Sequence, residues 1–199
     1  DRLYDQYEGH RLSGPNDIVF DAAGGFWFTD LGKHFDHHTD HGGLFYATPD
    51  GRSIRRAVHG PDFNGVGLSP DGKTVYAAVC SRCYILAFDI TGPGEVAPSD
   101  LAAVPGRLVA DFPGRTLLDS LAMLASGKIA QATLVDRPGI GVADPSTGEV
   151  VYHPFPDLLT TNIAFGGADM RDAAITLSTT GKLALARWDE PGLRLHFNA

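Results

Sequence analysis

The stretch Asn64-Gly65-Val66-Gly67-Leu68-Ser69-Pro70-Asp71-Gly72-Lys73-Thr74-Val75-Tyr76-Ala77-Ala78-Val79 reads as two short strands around a tight turn. Val66 and Leu68 alternate with small residues, and the apolar run resumes at Val75. Alternation of this kind marks a half-buried strand. Between the runs lies Ser69-Pro70-Asp71-Gly72. Proline presets φ and glycine accepts a positive φ, so the chain reverses there.

Three further segments repeat the pattern. They are Gly14-Pro15-Asn16-Asp17-Ile18-Val19-Phe20-Asp21, Leu118-Asp119-Ser120-Leu121-Ala122-Met123-Leu124 and Thr161-Asn162-Ile163-Ala164-Phe165-Gly166-Gly167. Each opens on Asn or Asp, runs apolar at alternate positions and then turns. The opening residues Asn16, Asn64, Asp119 and Asn162 are 48, 55 and 43 residues apart. That period belongs to the four-stranded blades of a β-propeller.

The remaining strands fit the same unit. Second strands begin at Gly25, Thr74, Lys128 and Ala173, and third strands at Gly43, Tyr84, Ile140 and Leu183. Fourth strands begin near Ile54, Leu108, Val150 and Leu193. No segment keeps a helical apolar period. The expected fold is therefore all-β, a β-propeller of about four blades, with residues 1–199 as one domain.

Composition agrees. The 199 residues include 24 Gly and 13 Pro, which suits short strands and many turns. A net charge of −8 argues against a nucleic-acid partner, which would need a basic stripe. No window approaches the length of apolar sequence that a transmembrane helix needs, so no membrane partner is expected. Two cysteines, Cys80 and Cys83, are too few for a disulfide scaffold. The compartment stays open, with a cytoplasmic setting preferred.

In an antiparallel blade, the start of the first strand and the loop after the second lie at one end. Asn16, Asn64, Asp119 and Asn162 thus share a face, at the mouth of the central channel. The loops 30–42, 80–83, 135–138 and 178–181 share it too. Oxygen ligands converging there suit a hard cation such as Ca²⁺. One Asp supplies too little charge, so a second carboxylate is expected. Either Asn162 is purely structural, or that carboxylate lies outside this sequence.

The same motifs carry a family likeness. Gly14-Pro15-Asn16-Asp17 followed by Phe26-Trp27-Phe28-Thr29-Asp30 resembles the senescence marker protein/gluconolactonase family, the regucalcin-like lactonases. Asn64 to Tyr76, Leu118 to Ala122 and Thr161 to Gly167 resemble its successive blades, in order and at blade spacing. The resemblance implies a six-bladed ring. It also implies one divalent cation, with Ca²⁺ first and Zn²⁺, Mn²⁺ or Mg²⁺ as the other ions such sites accept. By motif, Asn64 and Asp119 match the Asn and Asp ligands, and Asn16 matches a further Asn that contacts metal or substrate. The family's Glu lies in a Glu-Gly-Pro motif that this sequence lacks. Glu8-Gly9-His10 sits in the approach to Asn16, and the role is not transferred to Glu8. Ser120 stands where many members have Gly.

The implied chemistry is hydrolysis of a sugar lactone, with the cation polarising the carbonyl. Asp119 is the candidate proton acceptor for water, and Asn16 the candidate for orienting a sugar hydroxyl. Other readings are a noncatalytic propeller that binds a ligand or protein, and a hydrolase of another ester or organophosphate. Four blades of an implied six suggest an N-terminally shortened ring. Such a chain is expected to self-associate and to have impaired activity of its own.

Two features stand apart. Histidines 34, 37, 38 and 41 lie in a loop that overhangs the channel mouth. They read as a polar lid, with His41 placed against substrate. A zinc site is the other reading, although the spacing matches no standard zinc pattern. Cys80-Ser81-Arg82-Cys83 joins two strands, not a strand to a helix, so a thioredoxin-like role does not follow. The pair reads as thiols of a short turn.

Overall fold

The computed structural model describes residues 2–40, 42–60, 62–99 and 105–197. Among these every regular element is a strand. The chain opens with a small hairpin, β1 (Gln6–Tyr7) and β2 (His10–Arg11). The first blade is β3 (Pro15–Phe20), β4 (Phe26–Asp30), β7 (Gly43–Ala47) and β8 (Ile54–His59), hydrogen-bonded in that order. Between its second and third strands stands a two-stranded hairpin, β5 (Lys33–His34) and β6 (Thr39–Asp40), in the histidine-rich loop.

The second blade is β9 (Phe63–Leu68), β10 (Thr74–Val79), β11 (Tyr84–Gly92) and β13 (Arg107–Asp111). A short β12 (Glu95–Val96) folds back on the far end of β11. The third blade is β14 (Thr116–Met123), β15 (Ile129–Val135), β16 (Gly139–Ala143) and β17 (Val150–Pro154). The fourth has three strands, β18 (Thr160–Gly166), β19 (Asp172–Leu177) and β20 (Lys182–Arg187). All pairings are antiparallel, as short connections require.

The turns behave as their sequences dictate. In Ser69-Pro70-Asp71-Gly72 the Asp71 carboxylate accepts from the Ser69 hydroxyl at 2.6 Å and from Lys73 N at 3.1 Å. Gly72 sits at φ +68°, a conformation that side chains resist.

Burial lies between blades. Trp27, Leu44, Phe63, Val75 and Phe88 fill the space between the first two. Ile85, Phe112, Leu118 and Ile129 fill the next, and Leu124, Ile140, Ile163, Ile175 and Trp188 the third. The outer face of the first blade is covered by the chain's own start. Tyr4, Tyr7 and Leu12 lie against Phe26, Phe28 and Phe45. The Tyr4 hydroxyl donates to Thr48 O and lies 2.7 Å from Ser53 O.

The expected fourth strand at Leu193 does not form. Pro191 has no N–H to donate. The N–H groups that follow turn to other partners: Gly192 to Met170 O at 2.7 Å and Leu193 to Met123 O at 2.8 Å. Gly192 forms a single bridge with Leu124, and the tail runs on to place Phe197 against Phe20, ring centroids 5.6 Å apart. Strand β20 is thus left as an edge, with Leu183 and Leu185 exposed.

Candidate active site

The innermost strands β3, β9, β14 and β18 each carry a β-bulge at their opening end. Two residues of the inner strand face one of its partner: Asn16-Asp17 opposite Thr29, Asn64-Gly65 opposite Ala78, and Asp119-Ser120 opposite Ala132. A bulge re-aims side chains and strands polar backbone groups. Both effects are used here.

The fourth bulge corrects one sequence alignment. Thr160 pairs with Leu177 and Asn162 with Thr176, so the extra residue is Thr161. Register therefore places Thr161, not Asn162, in line with Asn16, Asn64 and Asp119. Its hydroxyl is engaged with Thr176 Oγ1 at 2.8 Å and Ser178 Oγ at 2.7 Å. Asn162 is exposed one position further on.

Asn64 and Asp119 are brought together. Asn64 is 5% exposed and its side chain interacts with the Asp119 carboxylate. Its Oδ1 is fully buried without a hydrogen-bond partner. Its backbone carbonyl accepts from the Thr29 hydroxyl of the neighbouring blade. Burial pushes the Asp119 carboxyl up, opposed by Asn64 and by Ser120 N–H. Asn16 is not part of this contact. It is exposed and lines a groove of 340 Å³ with Leu3, Tyr4, Leu12 and Phe28.

Two residues passed over by the sequence reading hold the site in place. The first is Asp17. Its carboxylate accepts from Ile18 N at 2.9 Å, from Val66 N at 3.2 Å and from Leu121 N. These three are the residues that follow the bulges of three successive blades. Burial pushes the Asp17 carboxyl up to about 6, with Asp119 adding repulsion and the three N–H groups opposing. Asp17 thus places a second carboxylate beside Asp119. The second residue is Gln131, fully buried on β15. Its Nε2 donates to Asp119 O at 2.8 Å, Ser120 O at 3.2 Å and Ala132 O at 2.8 Å. The signal for both was a polar residue at a position where a strand should bury an apolar one.

Above the mouth, loops are tied down by carboxylates. Asp30 accepts from the N–H groups of Ser13, Gly14 and Gly32 at 2.9, 2.7 and 2.9 Å. The histidine-rich hairpin is exposed and closed on itself. His34 Nδ1 lies 3.1 Å from Thr39 Oγ1, and His38 stacks on Phe35 with ring centroids 4.5 Å apart. His41, assigned to substrate from sequence, lies outside the described residues.

Cys80 and Cys83 are free thiols. Burial pushes the Cys80 thiol up to about 12, with Asp62 and Asp119 adding to the shift and Asn64 opposing it.

For a cation, the donors at hand are Asn64 Oδ1 and the Asp119 carboxylate. An orphaned buried oxygen on the residue that contacts a desolvated carboxylate, with Asp17 adding charge, fits an oxygen-seeking ion. Among the described residues no group of three or more His, Cys, Asp or Glu converges as a metal cluster. The fit therefore rests on a mixed amide and carboxylate set.

Comparison with known proteins places the chain in a lineage. Residues 1–179 match the model of the SMP-30/Gluconolactonase/LRE-like region. The chain belongs to this family. A gluconolactonase of Zymomonas mobilis is 33% identical over 89 residues, covering 40% of this chain and 24% of that protein. Lactonase drp35 of Staphylococcus saprophyticus is 30% identical over 121 residues, covering 57% of this chain and 37% of its own. Among solved SMP-30/gluconolactonase-like structures, the gluconolactonase of Xanthomonas campestris superposes with TM-score 0.71 at 26% identity, over 92% of this chain and 61% of that one. A calcium-binding protein, regucalcin, from Agrobacterium tumefaciens gives TM-score 0.70 at 18% identity, over 91% and 65%. The chain thus spans less than two thirds of these relatives.

Proposed function

We propose that the chain carries the carbonyl-activating part of a sugar-lactone hydrolase, with Asn64 and Asp119 holding a divalent cation, Ca²⁺ first. The observation that carries this reading is Asn64, whose Oδ1 is buried with no partner and whose side chain contacts the desolvated Asp119 carboxylate. Leaving such an atom unsatisfied costs about 1–3 kcal/mol, which a ligand would offset. Membership of a family that includes proteins named gluconolactonase and lactonase supports the substrate class. A structural neighbour described as calcium-binding supports the ion.

When bound, the cation supplies polarisation of the lactone carbonyl. The remaining work falls to the chain's own groups. Asp119 is the group that would accept a proton from the attacking water. Gln131 and the bulge hold that carboxylate at the channel mouth. Asp17, with its oxygens committed to backbone N–H groups, positions strands and sets charge but does not turn over. Asn16, exposed at the rim, orients a sugar hydroxyl through its amide, and His41 is assigned the same kind of contact.

Proton release from glucono-δ-lactone, an aryl ester and a phosphotriester, measured side by side, tests the substrate class. The lactone is expected to be hydrolysed in preference to the other two, at the reduced rate expected of this chain. Preference for the phosphotriester or the aryl ester would overturn the assignment.

A further inference from the structure

The segment 192–197 runs past all four blades at the end of the channel opposite the mouth. The inner strands β18, β14, β9 and β3 finish there, at Gly166, Met123, Leu68 and Phe20. The segment meets these strand ends in turn. Gly192 passes blade four so closely that a Cβ would run into the Phe165 side chain. Leu193 N donates to Met123 O at 2.8 Å, and its side chain packs on the cluster between blades two and three. His196 shares a cavity of 430 Å³ with Leu68 and Pro70 of blade two and Asp21 of blade one. The Phe197 ring then meets the Phe20 ring edge-on, with centroids 5.6 Å apart.

The two ends of the segment are held unequally. Around Gly192 there are three backbone hydrogen bonds: Gly192 N to Met170 O at 2.7 Å, Leu193 N to Met123 O at 2.8 Å and Ala125 N to Pro191 O at 2.9 Å. At the other end Phe197 makes its ring contact while 72% exposed. The inner strands pack in sequence, β3 on β9, β9 on β14 and β14 on β18. An array held by neighbour contacts opens stepwise from its ends. At the mouth, the Asp17 carboxylate ties blade one to blades two and three. The segment 192–197 is its counterpart at the far end, and it adds blade four. We infer that these residues are a strap, hinged at Gly192 and latched by Phe197 on Phe20, which couples the opening of blade one to that of blades three and four. With the latch released, blade one opens alone. The strap stands apart from the cation and from hydrolysis, so its test bears on neither.

Hydrogen exchange of the 199-residue protein in low urea, read by mass spectrometry on peptides of β4 and β19, is the test. In the wild type the two strands should exchange with the same dependence on urea, because blades one and four open together. Phe197 is exposed, so Phe197→Ala keeps the fold. In that variant β4 should exchange roughly 2- to 10-fold faster than β19, the range that one aromatic pair carries. Its urea dependence should also be shallower, because less surface is exposed when one blade opens. Phe197→Tyr keeps the ring and should match the wild type. Equal acceleration of β4 and β19 in Phe197→Ala, with parallel urea dependence, overturns the inference, because Phe197 then adds stability without coupling the blades. So does exchange unchanged from the wild type, or a tyrosine variant that behaves like the alanine one.

Discussion

Asn64 works at both ends. Its carbonyl takes the hydroxyl of Thr29, a fully buried residue of the neighbouring blade, and its side-chain oxygen is buried without a partner. The Thr29 hydroxyl also accepts from Asp17 N at 3.2 Å. Thr29→Val should therefore leave a buried carbonyl and a buried N–H unpaired, costing about 1–3 kcal/mol for a stranded group. Urea denaturation is expected to show that loss, and Thr29→Ser to recover most of it. Equal stability of the valine variant would mean that the bridge carries no weight. Gln131→Leu addresses position more than stability. With Asp119 O and Ser120 O unserved, kcat should fall while KM holds, and a change confined to KM would contradict a positioning role. The shared place of Asn64 and Asp119 in the repeat was legible in the sequence, and the bulge register agrees with it. Asp17 and Gln131 showed only as polar residues at buried strand positions, and their partners were not legible, because each serves the backbone of another strand.

The bulges are the elements that build the site, and alternation alone cannot show them. One extra residue leaves the apolar pattern of a strand intact on either side. That is why the inner strands were placed correctly while Asn162 was aligned one residue too far. Gly65 shows how little room a bulge leaves. A Cβ there would come within 2.7 Å of Asp119 O and 2.8 Å of Leu121 N, both backbone atoms. Gly65→Ala should force β9 and β14 apart, costing about 1–3 kcal/mol, and should weaken cation binding by calorimetry. A variant with unchanged binding would show that the strand spacing is not critical. On the fourth blade, Asp157 closes a loop in the same manner. Burial works to raise its carboxyl, but the Thr180 hydroxyl and the N–H groups of Leu159 and Thr180 outweigh it and hold the group well below the usual carboxylate range. A lowered folded value means stability that is present above the unfolded value, about 3.9, and lost as pH falls toward the folded one. Asp157→Asn should thus melt below wild type near neutrality, with the gap narrowing in acid. A gap that is constant with pH would argue against the linkage. The missing fourth strand at Leu193 was unreadable for a related reason. Its N–H groups are taken by Met170 and Met123, partners remote in sequence.

At the scale of the molecule, the blade count was the most legible feature, because repeat spacing reports it directly. Three inter-blade clusters follow from apolar strands buried on both faces. The ends of the array differ. Blade one is covered by Tyr4, Tyr7 and Leu12, whereas β20 of blade four shows Leu183 and Leu185, the latter 78% exposed. An exposed apolar edge strand templates pairing with another chain. Sedimentation is expected to show concentration-dependent association of this 199-residue chain, reduced by Leu185→Lys. A monomer at all concentrations would refute that expectation. The account's central claim is that Asn64 and Asp119 hold a cation on which lactone hydrolysis depends. Its most direct test is glucono-δ-lactone hydrolysis in chelator, followed by return of a divalent ion, for wild type, Asn64→Ala and Asp119→Ala. The account predicts that chelation drops the wild type to the spontaneous rate, that the ion restores it, and that neither variant is restored. Full activity in chelator, or a wild-type rate in Asp119→Ala, would contradict it.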